Sequence, residues 1–324
     1  IWGEKTYWCA QPITFTPYAS TQACSARCHF CSENLVHSPS QVRAANLRPS
    51  PDYFEGLASA LTQLRGLPLS YSLSGLETTD DSAWMLQLLQ VLEHAAQTGV
   101  VVENRVLYSN GAGLAGSNGH RLIAALTHFK LSWVELSRHS PEEALNQNIM
   151  RFRPALAIQS NRAFTQVVHE LNQCMPVKLV CIVQTSGVNT AQAVQDYLTW
   201  ASHLAVDTVI FREFSKLDDT YHLNATARYI AKQRISMEAL LRECMAYPPL
   251  ITMWQVDQLT QGYYFWNACF TLNTGLKVIF EAADYQAMQL QHQSHYIYKL
   301  VYFPNGHLCA GWDPDADILY KNHS

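Results

Sequence analysis

PITFTPYASTQACSARCHFCSEN, residues 12–34, joins a run of β-branched and aromatic residues to a loop that holds Cys24, Cys28 and Cys31. The first ten residues read as a strand. Directly after it, three of the chain's nine cysteines fall within eight positions. Three thiols in one loop suit a disulfide framework, a zinc site, or an iron–sulfur cluster that is one ligand short. Zinc favours a closed tetrahedral set, most often Cys-x2-Cys pairs supplied from two places. Here Cys28 and Cys31 form one such pair and the sequence has no second. His29 completes a Cys3His set on paper, but it lies between two ligands and reaches the same metal only by straining the loop. Three unrelated buried thiols fit poorly in a loop this polar and compact. A cubane cluster takes four thiolates. Three leave one iron open, and an open coordination position is what chemistry at a metal needs.

Outward from this loop, strand-like and helix-like runs alternate. A helix is expected near 53–64, a buried strand at PLSYSLSG (68–75) and a helix at 81–99, where Met85, Leu88, Leu89, Leu92 and Ala96 recur at helical spacing before Gly99. A strand at 105–111, a helix at 119–127, a strand at 132–137 and helices around 141–149 and 160–173 follow. A strand at 177–184, a helix at 190–204 and a strand at 206–213 extend the series to six strand-then-helix units. Such a pattern predicts a parallel, curved sheet whose chemistry sits on loops at the strand C-termini. Residues 1–235 are assigned to this domain. Residues 236–324 change character: after a helix at 236–246, aromatic-rich runs flank Asn273-Thr274-Gly275 and Pro304-Asn305-Gly306, which are hairpin signals. They predict a small antiparallel extension packed on the barrel. No internal repeat or low-complexity tract is visible.

Composition narrows the class. Of 324 residues, 48% are apolar and 15% charged, so a large core is available. Acids outnumber bases 26 to 22 for a formal charge of −4, which argues against a broad nucleic-acid-binding surface. No apolar run approaches the roughly 18 residues that span a membrane. The first residues, IWGEKTYWCAQP, lack the charged-then-apolar pattern of a signal peptide, and the start at Ile1 leads us to expect a missing upstream segment. Six cysteines are scattered singly and three are clustered, unlike a secreted disulfide scaffold, so a reducing cytoplasm is expected.

Cys-x3-Cys-x2-Cys, with Phe30 just before the last cysteine and the motif directly after the first strand of a β/α series, resembles the radical S-adenosylmethionine (radical SAM) superfamily. The resemblance implies an α/β fold, a partial (β/α)6 TIM-like barrel with a small antiparallel β-rich C-terminal extension. In it Cys24, Cys28 and Cys31 hold a [4Fe–4S] cluster, Phe30 lies beside the cofactor, and the amino and carboxylate groups of S-adenosylmethionine chelate the open iron. After strand two, SLSGLETTDD places Ser74, Gly75, Leu76 and Glu77 where the family has a Gly-Gly-Glu type turn that meets the amino group. Ser74 replaces the first Gly there, and one residue is inserted before Glu77. After strand three, LYSNGAG is similar to a Thr-Asn-Gly turn, which puts Ser109 and Asn110 near the ligand. Strand four ends in ELSRHS, so by resemblance Ser137 and Arg138 contact ribose hydroxyls and the methionine carboxylate, a guanidinium forking onto a carboxylate in two hydrogen bonds. An Arg before the acid-rich helix start SPEEAL is also poorly placed for the helix dipole, which favours a functional role. Val183, Gln184, Phe211 and Arg212, at the ends of strands five and six, line the adenine side by resemblance; ordinary core and rim positions are the alternative.

The implied activity uses an external one-electron reductant of flavodoxin or ferredoxin type. S-adenosylmethionine is cleaved to methionine and a 5′-deoxyadenosyl radical, which abstracts a hydrogen atom from a small-molecule or peptide substrate in natural-product or cofactor biosynthesis. Epimerisation, ring closure, rearrangement, decarboxylation and dehydrogenation all remain open. An edge strand in the extension could take a peptide by strand addition. The reading from another class is a non-catalytic structural or regulatory protein that binds zinc or an iron–sulfur cluster. Thirteen histidines supply no His-Glu-x-x-His motif; His292 and His295 are the nearest pairing and read as surface residues. Cys269 and Cys309 read as small buried hydrophobes, and Tyr263, Tyr264, Trp266 and Trp312 as aromatic residues that close the barrel mouth.

Overall fold

The structure, a computed structural model, describes residues 6–18, 21–262, 264–292 and 295–322. Along the chain run β1 (Trp8–Pro17), α1 (Tyr53–Gln63), β2 (Leu69–Leu73), α2 (Ser82–Gln97), β3 (Val102–Ser109), α3 (Gly119–His128) and β4 (Trp133–Ser137). Then come α4 (Glu143–Met150), α5 (Asn161–Asn172), β5 (Val177–Val183), α6 (Ala191–His203), β6 (Thr208–Glu213) and α7 (Ala225–Gln233). The last part holds α8 (Met237–Ala246), α9 (Pro248–Ile251), β7 (Trp254–Gln261), β8 (Phe265–Leu272) and β9 (Lys277–Ala283). It ends with α10 (Tyr285–His292), β10 (Tyr296–Tyr302), β11 (His307–Cys309) and β12 (Ile318–Lys321).

The expected strand-then-helix alternation is present, and the reasons are local. Helix α2 starts where Asp81 accepts from the Trp84 N–H, and it buries Met85, Leu88, Leu89 and Leu92 on one face. Ser160, Thr190, Asn224 and Ser236 cap α5, α6, α7 and α8 in the same way. Strand β5 reads VKLVCIV because parallel strands are covered on both faces. Helix α7 carries no clear signal in the sequence; its stretch ATARYIAKQ buries only Thr226, Ala227 and Ile230, too few apolar residues to stand out as a periodic pattern.

Two compact units form. One comprises residues 1–25, 39–134 and 290–324, the other residues 26–38 and 135–289. In the first unit β1, β2 and β3 pair in parallel, and β10 lies parallel to β1 on its other side. Strands β11 and β12 continue from β10 in antiparallel order. In the second unit β5, β6 and β9 are parallel, with β8 antiparallel to β9 and β7 antiparallel to β8. Both expected hairpins therefore exist, β8–β9 around Asn273–Gly275 and β10–β11 around Pro304–Gly306. Strand β10 joins β1 and β9 joins β6, each within the sheet of its own unit. The reason is backbone supply, since the outer N–H and C=O groups of β1 and β6 need partners. Residues 236–324 are accordingly divided between the units.

Each unit has its own core. Phe15, Tyr53, Leu57, Tyr71 and Leu88 are fully buried in the first, and Phe164, Val168, Tyr197, Phe211 and Phe280 in the second. At roughly 1.5–3 kcal/mol for each large apolar side chain removed from water, these clusters dominate the stability that fixes the strand ends.

Candidate functional site

In the first unit the loops after β1, β2 and β3 are tied together by buried polar side chains. Gly75 has φ +96°, and a Cβ there would lie 2.5 Å from the Tyr18 ring, so only glycine fits. Leu76 follows at φ +53°, a conformation that non-glycine residues seldom adopt and that clusters at functional sites. Ser74 Oγ pairs with Ser72 Oγ at 3.1 Å. The turn then delivers Glu77 into the interior, where it is 2% exposed. Its Oε1 accepts from Thr79 Oγ1 (2.5 Å), Thr79 N (3.3 Å) and Ser109 Oγ (2.8 Å), and its Oε2 from Asn110 N (2.5 Å). Asn110 in turn donates from Nδ2 to Ser25 Oγ at 3.0 Å and towards Cys24 Sγ at 3.6 Å. The cysteine loop is held from the other side by Ser25 N–H to Asp80 Oδ2 (2.7 Å) and Thr21 Oγ1 to Asp81 Oδ2 (2.6 Å). Glu77, Ser109 and Asn110 thus form a brace behind Cys24, and both Glu77 oxygens are taken up by protein donors.

Burial, with the Asp80 charge second, pushes the Glu77 carboxyl up to about 7 from its ordinary 4.5, although its four donors favour the ionised form. Between those values the folded chain binds more protons than the unfolded one. Stability from this group is complete below about pH 4.5 and is lost as pH rises to about 7. Denaturant titrations are expected to show a fall in unfolding free energy across that window in the wild type and a flatter profile in Glu77→Gln.

In the second unit Arg27 N–H reaches the carbonyls of Met150 (3.1 Å) and Arg151 (3.2 Å). The Cys28 thiol lies 3.7 Å from the Met150 thioether. Cys31 N–H closes a turn on the Cys28 carbonyl at 3.3 Å. Burial, then the Glu33 charge, pushes the Cys31 thiol up to about 11. Phe30 packs between His139 (5.1 Å between centroids, edge-on) and Phe214 (5.3 Å), while His29 stacks on Tyr229 of α7 at 4.8 Å. Asn224 Nδ2 donates to the Asn34 carbonyl at 2.6 Å and His222 N–H to the Val36 carbonyl at 2.8 Å, so α7 and the segment before it hold the far end of the cysteine loop. His139 is buried and neutral: burial, then Arg138 and Arg212, drive it down to about 3, and its Nδ1 accepts the Ile182 N–H at 3.0 Å.

Arg138 and Phe211, two of the expected ligand contacts, both have buried side chains. Arg138 is 1% exposed, and its guanidinium donates to the carbonyls of Ser140 (3.2 Å) and Ile158 (3.4 Å) and to Asn161 Oδ1, above the Phe164 ring. These bonds tie it to the β4–α5 connection. Phe211 is fully buried between Tyr197 and Phe280, each 5.4 Å away, on the core face of β6. Its neighbour Arg212 points to the other face and binds Glu281 at 2.5 Å and Glu135 at 3.5 Å. Val183 is fully buried, while Ser137 is half-buried at the end of β4. Gln184 is fully buried, its Oε1 accepting from Tyr229 OH at 2.8 Å and its Nε2 without a partner. That orphan donor suits a ligand that brings an acceptor.

Of the mouth aromatics, Trp312 lies in the first unit under the Lys299 ammonium (4.5 Å), and Tyr264 and Trp266 lie in the second. Tyr263 and the His292 side chain lie outside the described residues. Cys269 on β8 and Cys309 on β11 belong to different units. Met150, His139, Tyr229 and Asp80 were passed over in the sequence, since their roles arise from contacts with distant segments and carry no local motif.

Among the described residues no cysteine forms a disulfide. Among the described residues no three His, Cys, Asp or Glu side chains converge on a single-ion site, as zinc requires. A cluster makes a different demand, because each cysteine binds its own iron.

No family model matches the chain, and no curated protein matches it by sequence. Solved structures do match. SuiB from Streptococcus suis bound to S-adenosylmethionine superposes with TM-score 0.54 at 15% identity, over 93% of this chain and 60% of that one. A second SuiB structure gives TM-score 0.54 at 14% identity with the same coverage. Coproporphyrinogen III oxidase (HemN) from Escherichia coli, described as a radical SAM enzyme, gives TM-score 0.49 at 12% identity, over 77% of this chain and 54% of that one. The likeness to SuiB shows the fold, a mixed α/β fold of partial-barrel type. The chain spans about 60% of the length of SuiB.

Proposed function

We propose that the chain is a radical SAM enzyme, with Cys24, Cys28 and Cys31 as the ligands of a [4Fe–4S] cluster. The observation that carries this reading is the three-thiol loop directly after β1 of a SuiB-like fold, braced by Asn110 at Cys24 and by Met150 at Cys28. The donor set fits the group: three thiols leave one iron open for S-adenosylmethionine. Cys24, Cys28 and Cys31 would hold the cluster, which would supply the one-electron chemistry, drawn from an external reductant, that cleaves S-adenosylmethionine to methionine and a 5′-deoxyadenosyl radical for hydrogen-atom abstraction.

The chain's residues do the rest. The Gly75–Leu76 turn and Ser137 lie at strand ends, Ser109 holds Glu77 behind Cys24, and Gln184 offers its unpartnered donor. Arg212 with Glu135 and Glu281 supplies charge in the second unit. Arg27 and Arg151, both exposed and joined through an N–H···O bond, flank Cys28 and suit an acidic reductant of flavodoxin or ferredoxin type. The substrate is a small molecule or a peptide, in natural-product or cofactor biosynthesis, and cysteines that form no disulfide suit a cytoplasmic setting.

The test is anaerobic. After reconstitution with iron and sulfide, dithionite and S-adenosylmethionine are expected to yield 5′-deoxyadenosine, read by liquid chromatography. Stoichiometric zinc with no iron taken up would overturn the reading.

A further inference from the structure

We infer that Asn110 is a positioning residue that raises the reduction potential of the cluster by donating an N–H···S hydrogen bond to the Cys24 sulfur, an inference that rests on the radical SAM reading. Asn110 Nδ2 lies 3.6 Å from Cys24 Sγ and 3.0 Å from Ser25 Oγ. The direction of the amide is fixed by its other end, since Oδ1 accepts the Ala112 N–H at 2.9 Å. A flipped amide would set two N–H groups against one another there, so the NH2 group faces the cysteine loop. One of its hydrogens serves Ser25; the second is aimed at sulfur.

The side chain is held firmly. Asn110 is 7% exposed, and its backbone N–H binds Glu77 Oε2 at 2.5 Å. The following loop is packed so closely that a Cβ at Gly113 would overlap the Thr79 carbonyl. Capping alone does not require asparagine. An aspartate would accept from Ala112 equally well, as in any Asx turn, but has no donor for sulfur. A donor aimed at a ligating thiolate stabilises the added negative charge of the reduced cluster, so the potential rises.

The test titrates reconstituted wild type, Asn110→Asp and Asn110→Leu anaerobically and reads the reduced cluster by electron paramagnetic resonance. Both variants are expected to lower the midpoint. The neutral Asn110→Leu isolates the lost donor and is expected to shift the one-electron equilibrium about tenfold, or 59 mV, at unchanged iron content. A wild-type midpoint in Asn110→Leu overturns the inference. Should neither variant load iron, wild type labelled with 15N at the asparagine side-chain amide decides. Pulsed spectra of its reduced cluster must show an amide 15N coupling, and its absence overturns the hydrogen bond. A wild-type chain that takes up no iron removes the radical SAM reading itself, a result distinct from an unshifted potential.

Discussion

Arg138→Ala is expected to lower the free energy of unfolding by about 3–5 kcal/mol, read as the denaturant midpoint. The guanidinium is buried at 1% exposure and satisfies the Ser140 and Ile158 carbonyls and Asn161 Oδ1, while its charge sits 4.9 Å above the Phe164 ring. Truncation leaves the buried Ser140 and Ile158 carbonyls and the half-buried Asn161 Oδ1 without their donor and opens a cavity beside α5. Each orphaned group costs about 1–3 kcal/mol, and the cavity adds to that. Arg138→Met keeps the stem over Phe164 and loses only the donors, so it is expected to fall between wild type and Arg138→Ala. A ligand role makes the opposite forecast: a variant of wild-type stability that has lost S-adenosylmethionine binding. That pattern would assign Arg138 to the methionine carboxylate.

The same residue shows what was legible in the sequence. Strand ends could be read from β-branched runs and helix starts from capping residues, and the Cys-x3-Cys-x2-Cys spacing needs only counting. Which way a strand-end side chain turns is another matter. Phe211 and Arg212 are adjacent, and the period of two sends one into the core against Tyr197 and the other to Glu281. A one-residue slip reverses that assignment, and only the pairing of β6 with β5 and β9 settles it. Likewise Asn273-Thr274-Gly275 announces a hairpin, but its union with β6 is decided by a strand edge some sixty residues earlier in the chain. Met150 beside Cys28 is a contact across 122 positions. The glycine at 75 was legible as part of a motif; that Tyr18 fills the space of its missing Cβ was not.

Cys28→Ala is expected to cut 5′-deoxyadenosine formation by more than about 100-fold while leaving the fold intact. Loss of a residue that merely supports a metal ligand costs about 10–100-fold, and loss of the ligand costs more. The stability side of the forecast comes from the surroundings. Cys28 is half-buried, its side chain meets the soft Met150 thioether at 3.7 Å, and the loop is anchored by backbone groups that alanine retains: Arg27 N–H to Met150 and Arg151, and Cys31 N–H to the Cys28 carbonyl. The denaturant midpoint should therefore move little, by about 1 kcal/mol or less. Cys174 supplies the control, since it is an exposed free thiol at the end of α5 that any general thiol chemistry would also use. Cys174→Ala is expected to keep full iron content and full product. A Cys28→Ala chain that still loads iron and cleaves S-adenosylmethionine would show that the three-thiol loop is not the cluster site. Equal losses in Cys28→Ala and Cys174→Ala would point to non-specific iron on thiols. The forecast is the divergence of the two: product abolished at position 28, untouched at position 174, with both proteins folded.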